Sequence, residues 1–336
     1  MKSALSSSLK LIALRKKFLF TLLLFTCCFL TDKSLAQTTK PDTVKTGIYV
    51  TSIHDIDFKQ QEYTVDLWLW MKYKNRDFDF SHNLEIPLAK TVDKNFETID
   101  STSYPGYYFI FMKLQCVMKD SWQITNFPFD KQVLRLSLEN SQYDSSSLVF
   151  VTDTAGKHFD PKFTLPNWRI DTFRVSVGTK VYETAFGDET INPPRTKYSS
   201  FRVKISIGRD AVGLFWKLFI GMYVAFLIAY ACFYIHADSI DSRFSLSVGA
   251  LFAVIGNKYI VDASLPESIT FTLVDTLHGI TMLFILCVVT ANAYALQLVK
   301  QNRLKYSNKF DMIAAQVLLV LYLVLNVYFI SRAVSG

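Results

Sequence analysis

The order of apolar and polar positions divides the chain into two parts. Between residues 45 and 208, short apolar runs are separated by clusters of Pro, Asn, Asp and Ser, and several runs alternate with polar positions. This pattern is typical of β-strands with one buried face. The predicted strands are 63–73, 107–117, 132–138, 148–151, 173–177 and 201–207. Several short strands at fairly regular spacing predict an all-β sandwich.

The last third of the chain contains long apolar segments. They predict four helices, at about 212–235, 241–263, 269–298 and 310–334. A helix needs about 20 predominantly apolar residues to cross a bilayer. We therefore predict an α+β membrane protein, with an all-β sandwich over 37–209 and a four-helix transmembrane bundle over 210–336.

Residues 1–36 have the pattern of a secretory signal peptide. A basic region comes first, formed by Lys10, Arg15, Lys16 and Lys17. An apolar stretch at 18–30 and the small-residue pattern Ser34-Leu35-Ala36 follow, as at a cleavage site. A membrane anchor is the alternative, although the apolar stretch is short for one. Six of the 36 basic and one of the 29 acidic residues lie in this segment, so the rest is nearly neutral and no nucleic-acid partner is expected.

The loop between the third and fourth apolar segments predicts the topology. It carries the basic residues Lys300, Arg303, Lys305 and Lys309. Basic loops remain in the cytoplasm, so the first and third helices run inward and the second and fourth run outward. The β-rich domain then lies outside the cell (inner) membrane, in the periplasm, which is also what a signal peptide predicts.

The second apolar segment differs from the others because charges flank it. Asp241 and Arg243 stand at one end of the segment, and Lys258 and Asp262 stand toward the other end. The uncharged run between them, 244–257, is too short for a lipid-exposed span. Ionisable groups within a membrane usually face the protein interior or water. We therefore interpret this helix as one that surrounds an aqueous pore.

One face of this helix has a distinct composition. Positions spaced by three or four residues share a face, and here they are Asp241, Ser245, Gly249, Phe252, Gly256 and Tyr259, with Asp262 flanking the outer end. Around a symmetry axis, Phe252 would form a hydrophobic constriction and Asp241 a carboxylate ring that favours cations. The alternative is close helix packing at Gly249 and Gly256.

Catalytic and metal-binding patterns are not found in the sequence. There is no Ser/His/Asp, Cys/His or paired-carboxylate arrangement and no Cys/His cluster, so we expect neither an enzyme nor a cofactor or metal site. Cys116 is the only cysteine between the signal and the apolar segments. The exported domain therefore cannot form an internal disulfide.

A motif in the β-rich region resembles a known family. Asn126-Phe127-Pro128-Phe129-Asp130, followed by Lys131-Gln132, is similar to the Phe-Pro-Phe-Asp-x-Gln core of the pentameric ligand-gated ion channels, the Cys-loop receptor superfamily. Further matching segments follow the family's order: 54–66, Trp168-Arg169-Ile170-Asp171, Arg209 before the first membrane segment, and 257–266. The family's two loop cysteines correspond to Asp120 and Leu134, as in the disulfide-free bacterial type.

The resemblance implies a homopentamer in the lipid bilayer, whose second helix lines a pore for monovalent cations. A small-molecule or proton agonist would open it. The resemblance also implies a coupling interface, in which Asp130 pairs with Arg209. The other members of that interface are Phe127, Pro128 and Phe129 beside Pro266, and Lys59 and Gln60 between the first two strands.

The resemblance implies a ligand pocket between subunits, lined by aromatic side chains. The candidates are Trp68, Tyr143, Tyr182, Phe186 and Tyr198, although a strand aromatic equally suits a core, and the tryptophan usual in one pocket loop is missing. His278 is a candidate pH sensor, with a neutral histidine bonded to a helix carbonyl as the alternative. The second hypothesis for the whole chain is a non-conducting binding or assembly subunit, which Gly249, Gly256 and the bulky Phe252 and Tyr259 favour.

Overall fold

The computed structural model describes residues 40–160, 162–266 and 269–335, so the predicted signal peptide lies outside the described residues. The described chain forms two packed β-sheets and then four long helices. This arrangement confirms the predicted fold class.

Nine strands form the β-rich part. They are β1 (Asp42–Asp57), β2 (Glu62–Tyr73), β3 (Leu84–Glu85), β4 (Ala89–Asp100), β5 (Tyr108–Lys119), β6 (Lys131–Asn140), β7 (Leu148–Thr152), β8 (Trp168–Tyr182) and β9 (Thr196–Arg209), with a short helix α1 (Phe80–Asn83) before β3. Each of the six predicted strands is present. Strands β1, β3 and β4 are not among these six; β4 was missed because most of its side chains are exposed and polar, so it carries no clear alternation.

The strands form two sheets with the core between them. The order is β4-β5-β2-β1-β7 in the five-stranded sheet and β3-β6-β9-β8 in the other. All pairs are antiparallel except β1 with β7. Alternate side chains of β2, such as Leu67 and Leu69, are fully buried with Leu134 and Leu138 of β6. Period-two alternation thus places one face of each sheet in the core.

The helices are α2 (Ala211–Tyr230), followed by a 3₁₀ turn at Ala231–Tyr234, then α3 (Ile240–Asp262), α4 (Leu273–Lys300) and α5 (Leu304–Ser335). All four are long and apolar enough to cross a membrane. Mean hydropathy is lowest in α3, at 1.5 against 2.0 to 2.3 in the others. The helix that was singled out by its flanking charges is therefore also the least apolar.

Two helix starts differ from the predictions. Helix α4 begins four positions later than expected because Thr272 and Asp275 form a capping box: the Asp275 backbone N–H donates to Thr272 Oγ1, and the Thr272 N–H donates to Asp275 Oδ2. Helix α5 begins earlier, at Leu304, because the basic residues of the loop continue the helix beyond its apolar part.

The sandwich and the helices meet closely. Only Asp210 separates β9 from α2. Phe127, in the loop after β5, is buried in the apolar core of the helices. The backbone N–H of Leu273 donates to the Thr125 carbonyl at 2.8 Å, which fixes the start of α4 to the same loop.

Candidate functional site

An ion pair lies at the junction of the sandwich and the helices. Arg209 Nε donates to Asp130 Oδ1 at 2.8 Å, and Arg209 Nη2 lies 3.4 Å from Asp130 Oδ2. The two side chains are 10% and 1% exposed. Buried charges of this kind are tolerated only when they are paired and hydrogen-bonded.

Aromatic rings and an amide complete the surroundings of this pair. The Arg209 guanidinium carbon lies 4.1 Å from the Trp168 ring centroid, 4.7 Å from that of Phe58 and 5.1 Å from that of Phe127. These are cation–π distances. Gln132 Nε2 donates to Asp130 Oδ2 at 2.7 Å. Both charges are therefore held by groups from several separate segments of the chain.

The loop at 121–130 extends toward the helices. Pro128 is buried, and the Phe129 ring centroid lies 5.5 Å from that of Phe215 on α2. Ile124 and Pro266 line one cavity of about 260 Å³. The structure thus brings the predicted aromatic loop, the ion pair and Pro266 to one region.

Lys59 and Gln60 are exposed in the turn between β1 and β2. The Gln60 backbone N–H donates to Asp57 Oδ1 at 2.7 Å, and its carbonyl accepts from Lys119 Nζ at 2.8 Å. These contacts define the turn within the sandwich.

An ion pair closes the base of the loop at 121–130. Arg135 Nε donates to Asp120 Oδ2 at 3.2 Å, and Arg135 Nη2 also contacts Asp120 Oδ1. The Asp120 side chain is 1% exposed. Asp120 occupies one of the two positions that correspond to the family's cysteines; the other, Leu134, lies in the apolar core. The loop ends are thus held by charge and packing.

The seven proposed pore-lining residues are exposed in the described chain. They are Asp241, Ser245, Gly249, Phe252, Gly256, Tyr259 and Asp262. The opposite face of α3 is buried against the other helices. A Cβ atom added at Gly249 or Gly256 would meet nothing within 4 Å among the described residues, so neither glycine supports close packing inside the subunit.

Lysine 258 links the outer end of α3 to α4. Lys258 Nζ lies 2.6 Å from Asp262 Oδ2 and 2.7 Å from Asp275 Oδ1. The Lys258 side chain is 26% exposed, so it points partly into the bundle, whereas Asp262 stays at the surface. The sequence did not indicate this connection, because the partner lies on another helix.

His278 is fully buried between helices. Its Nδ1 lies 2.8 Å from the Val274 carbonyl oxygen, and its Nε2 lies 3.0 Å from Asn257 Oδ1 on α3. The bond to a helix carbonyl is the arrangement expected for a structural histidine. The contact between Nε2 and the Asn257 side chain is an additional connection between α4 and α3.

Three of the five proposed ligand residues come together. The ring centroids of Tyr182, Phe186 and Tyr198 lie 5.6 to 6.3 Å apart in edge-to-face contacts. With Glu85, Glu139 and Ser141 they line a cavity of about 340 Å³. Sequence reasoning missed the two glutamates because they come from β3 and β6, far along the chain from the β8–β9 hairpin that carries the three aromatic residues.

Tyr182 is held by a carboxylate within this cavity. Its hydroxyl donates to Glu139 Oε2 at 2.8 Å. Partial burial and the neighbouring Glu139 carboxylate raise the pKa of Tyr182, so it remains a phenol and a hydrogen-bond donor. The second oxygen of Glu139 and the carboxylate of Glu85 give the cavity a negative character.

The other two ligand candidates lie elsewhere in the subunit. Tyr143 packs edge-to-face on Phe78 at 4.9 Å, against the sandwich core. Trp68 belongs to the other sheet, where its ring stacks on Phe111 at 4.7 Å and Lys113 Nζ lies 5.6 Å from its centroid. The structure of one subunit therefore brings neither of them into the aromatic cavity.

A histidine outside the helices was also missed. His54 Nδ1 lies 2.7 Å from Asp55 Oδ2, and its Nε2 lies 3.1 Å from Asp66 Oδ2. Partial burial opposes the charge of His54, but the hydrogen bonds to the two carboxylates outweigh it and raise the pKa of His54. The pKa of His54, in the sandwich, is thus raised above the ordinary value of a histidine.

Comparison with known proteins gives a distant similarity. No protein-family model matches the chain. The chain is similar to the proton-gated ion channel of Gloeobacter violaceus, with 22% identity over 249 residues. The aligned region covers 68% of this chain and 66% of that protein, slightly less than two thirds of its length. Together with the four apolar helices, the similarity supports a multi-pass membrane protein.

The junction ion pair gives a first prediction. We expect Arg209→Leu to lower the free energy of unfolding by about 3–5 kcal/mol, because it leaves the Asp130 carboxylate buried and unpaired. The measurement is thermal unfolding of the detergent-purified protein. Asp130→Leu in the Arg209→Leu background should restore part of the loss, since it removes the orphaned charge.

Arg169→Leu is the matched control for that prediction. Arg169 pairs with Asp171 at 2.9 Å, but its side chain is 78% exposed. Exposed pairs contribute about 0–1 kcal/mol, so the melting temperature should barely change. Equal effects of the two arginine substitutions would contradict the assigned role of burial at Arg209.

Proposed function

We propose that this protein is a ligand-gated cation channel of the cell (inner) membrane, assembled as a homopentamer with helix α3 around the pore. The observation that carries the proposal is the division of α3 into two faces. One face is buried against its own subunit, while the stripe from Asp241 to Tyr259 is exposed. The similarity to a proton-gated ion channel supports the same class of function.

The composition of the stripe indicates how such a pore would work. Phe252 is 67% exposed in the single subunit, so five copies around an axis would form a hydrophobic ring that gates by dewetting. Asp241, at the cytoplasmic end, would form a carboxylate ring that attracts monovalent cations. Arg243 does not oppose this charge in the lumen, because it is only 2% exposed and faces the bundle.

Signals from the sandwich would reach α3 through the junction. The loop at 121–130 packs into the helices through Phe127, and Leu273 is bonded to Thr125. From α4, the bonds of Asp275 to Lys258 and of His278 to Asn257 lead directly to α3. An agonist would open the pore by binding more tightly to the open arrangement of these contacts than to the closed one.

The cavity lined by Tyr182, Phe186 and Tyr198 is the proposed agonist site. Aromatic faces together with the carboxylates of Glu85 and Glu139 suit a small organic cation. A proton is the other candidate agonist, because the pKa of His54 is raised and His54 lies beside Asp66. His278, bonded to Asn257, is the candidate for a proton acting within the helices.

A non-conducting binding or assembly subunit is the second candidate function. Gly249 and Gly256 have no side chains, so a helix of another subunit could pack closely against α3 at these positions, in place of a water-filled pore. The large Phe252 side chain would then block the axis permanently. Electrical recording distinguishes the two functions.

The first functional prediction concerns Phe252. We expect Phe252→Ala to increase resting current in planar-bilayer recordings of the reconstituted protein, because a methyl group cannot keep the constriction dry. Wild-type current should depend on external pH or on an added amine. Phe244→Ala is a control on the same helix, since Phe244 is half-buried and outside the exposed stripe.

A Phe252→Ala protein that forms pentamers but conducts no current at any pH or with any amine tested would contradict the channel proposal. That result would favour the non-conducting subunit.

The second functional prediction concerns ion selectivity. Asp241→Asn should shift the reversal potential in a sodium chloride gradient toward zero, because it removes the carboxylate ring at the cytoplasmic end. Asp210→Asn, at the opposite end of the bundle, is the control and should leave the reversal potential near the wild-type value. A reversal potential unchanged by Asp241→Asn would remove this ring from the selectivity mechanism.

The third functional prediction concerns the agonist. Glu139→Gln should raise the amine concentration for half-maximal current by about tenfold, because it removes a charge-assisted contact of the cavity. Glu183→Gln, between β8 and β9 and paired with Arg195 at the surface, is the control. Equal sensitivity of the two variants to the amine would move the agonist site elsewhere.

A further inference from the structure

A group of four basic residues lies at the connection between α4 and α5. Its members, all of them exposed, are Lys300, Arg303, Lys305 and Lys309. Among the described residues, none of these side chains has a hydrogen bond, an ion pair or a ring contact. The segment 296–316 contains one acidic residue, Asp311, which is buried and paired with Arg243 of α3. The part of the chain that the structure describes thus leaves four positive charges here without a partner.

The connection that carries these charges is a tight hairpin between two helices. Asn302 lies in the left-handed region, with a φ of 58°, and the Arg303 backbone N–H donates to the Leu298 carbonyl at 3.0 Å, as is common at the end of a helix. The hydroxyl of the buried Ser307 donates to the Ala295 carbonyl of α4 at 3.0 Å. The backbone of residues 300–309, the basic hairpin, is therefore held in place against α4.

Helix α5 has an exposed side that begins in the basic hairpin. Residues spaced by four or seven positions share a side of a helix. On α5 such an exposed series is formed by Lys305, Lys309, Ile313, Val320 and Val324. The three apolar members are 61%, 58% and 59% exposed. The buried residues of α5, among them Ala315, lie on the opposite side. Two positive charges thus stand at the end of a long apolar surface.

The apolar surface of α5 is suited to lipid. Of the four apolar helices, α5 has the highest mean hydropathy, 2.3, and the smallest buried share of its span, 17% against 22 to 33% in the others. From the hairpin along α5, positive charge comes first and apolar surface follows, which is the order of phosphate and acyl chain in a phospholipid. Basic residues beside a membrane helix attract anionic lipid head groups. A soluble polyanion would contact the charges but leave the apolar side uncovered.

We propose that the basic hairpin and the exposed side of α5 bind a phospholipid with a net negative head group, such as phosphatidylglycerol. Lys305 and Lys309 contact the phosphate, and the apolar residues that follow contact an acyl chain. The placement of this lipid in the cytoplasmic leaflet rests on the topology in the proposed function. The lipid would restrain the first turns of α5, where Asp311 is paired with Arg243 of α3.

Native mass spectrometry of the full-length detergent-solubilised protein tests the proposal. The protein is titrated with phosphatidylglycerol or with phosphatidylcholine of the same acyl chains, which carries a phosphate but no net charge. We expect phosphatidylglycerol to bind at least about tenfold more tightly, because each Lys or Arg beside an anionic head group strengthens binding by about fivefold. The double variant Lys305→Gln/Lys309→Gln should lower this preference severalfold.

The double variant Lys217→Gln/Arg332→Gln is the matched control. It also removes two exposed cations from apolar helices, Lys217 from α2 and Arg332 from the other end of α5. This variant should keep the wild-type preference for phosphatidylglycerol. An equal loss in the two double variants would show that only total charge matters and would overturn the assigned site. Equal binding of the two lipids to the wild-type protein would also overturn the proposal.

A competition experiment identifies the source of the phosphate. Millimolar glycerol phosphate carries the charge of the head group without acyl chains, so it should not displace the bound lipid. Displacement would overturn the lipid in favour of a soluble phosphate compound. Lys305 and Lys309 are exposed, so their replacement leaves the packed side of α5 unchanged, and gel filtration of the double variant should match that of the wild-type protein.

Failure of the proposed function has a different signature. A protein that is silent in electrical recordings but prefers phosphatidylglycerol refutes the channel and supports the lipid site. A conducting protein without this lipid preference does the reverse.

Discussion

The junction depends on one interaction, the ion pair between Asp130 and Arg209. A carboxylate that is 1% exposed is stable as a charge only with a partner in a fixed position. That requirement fixes the end of β9 relative to the loop before β6, and the rings of Trp168 and Phe58 are held against the guanidinium. Because α2 starts only two residues after Arg209, the ion pair also fixes the position of the first turn of this helix. A movement of the loop must therefore carry these segments together.

The charges that first distinguished α3 have two different roles in the structure. Arg243 and Lys258 turn toward other helices, where they meet Asp311 and Asp275. Asp241 and Asp262 remain exposed. The basic groups thus attach α3 to other helices of the chain, while the acidic groups stay at the two ends of its exposed face. This arrangement explains how a helix with a short uncharged run can belong to a membrane bundle: three of its four flanking charges, Arg243, Lys258 and Asp262, are in ion pairs within the chain.

Sequence reasoning succeeded where a periodic signal existed. Alternation located strands such as β2 and β6, and apolar length located the helices. It failed where the determining contact was distant along the chain. Glu139 joins Tyr182 across 43 residues, and Arg243 joins Asp311 across 68. Tyr143, proposed for a ligand pocket between subunits, packs within the chain on Phe78 at the edge of the sandwich core. Periodicity reports which face of an element is apolar, but it does not report which polar groups meet.

The closure of the loop at 121–130 by Asp120 and Arg135 affects how that loop can fluctuate. A disulfide would hold the two ends together even after the surrounding strands had opened, because it constrains the unfolded chain as well. An ion pair exists only while both partners are in place, so the loop and its neighbouring strand ends can open as a local unit without unfolding the sandwich. The free energy of that opening is therefore independent of the redox state of the compartment, as it would not be with a disulfide in this place.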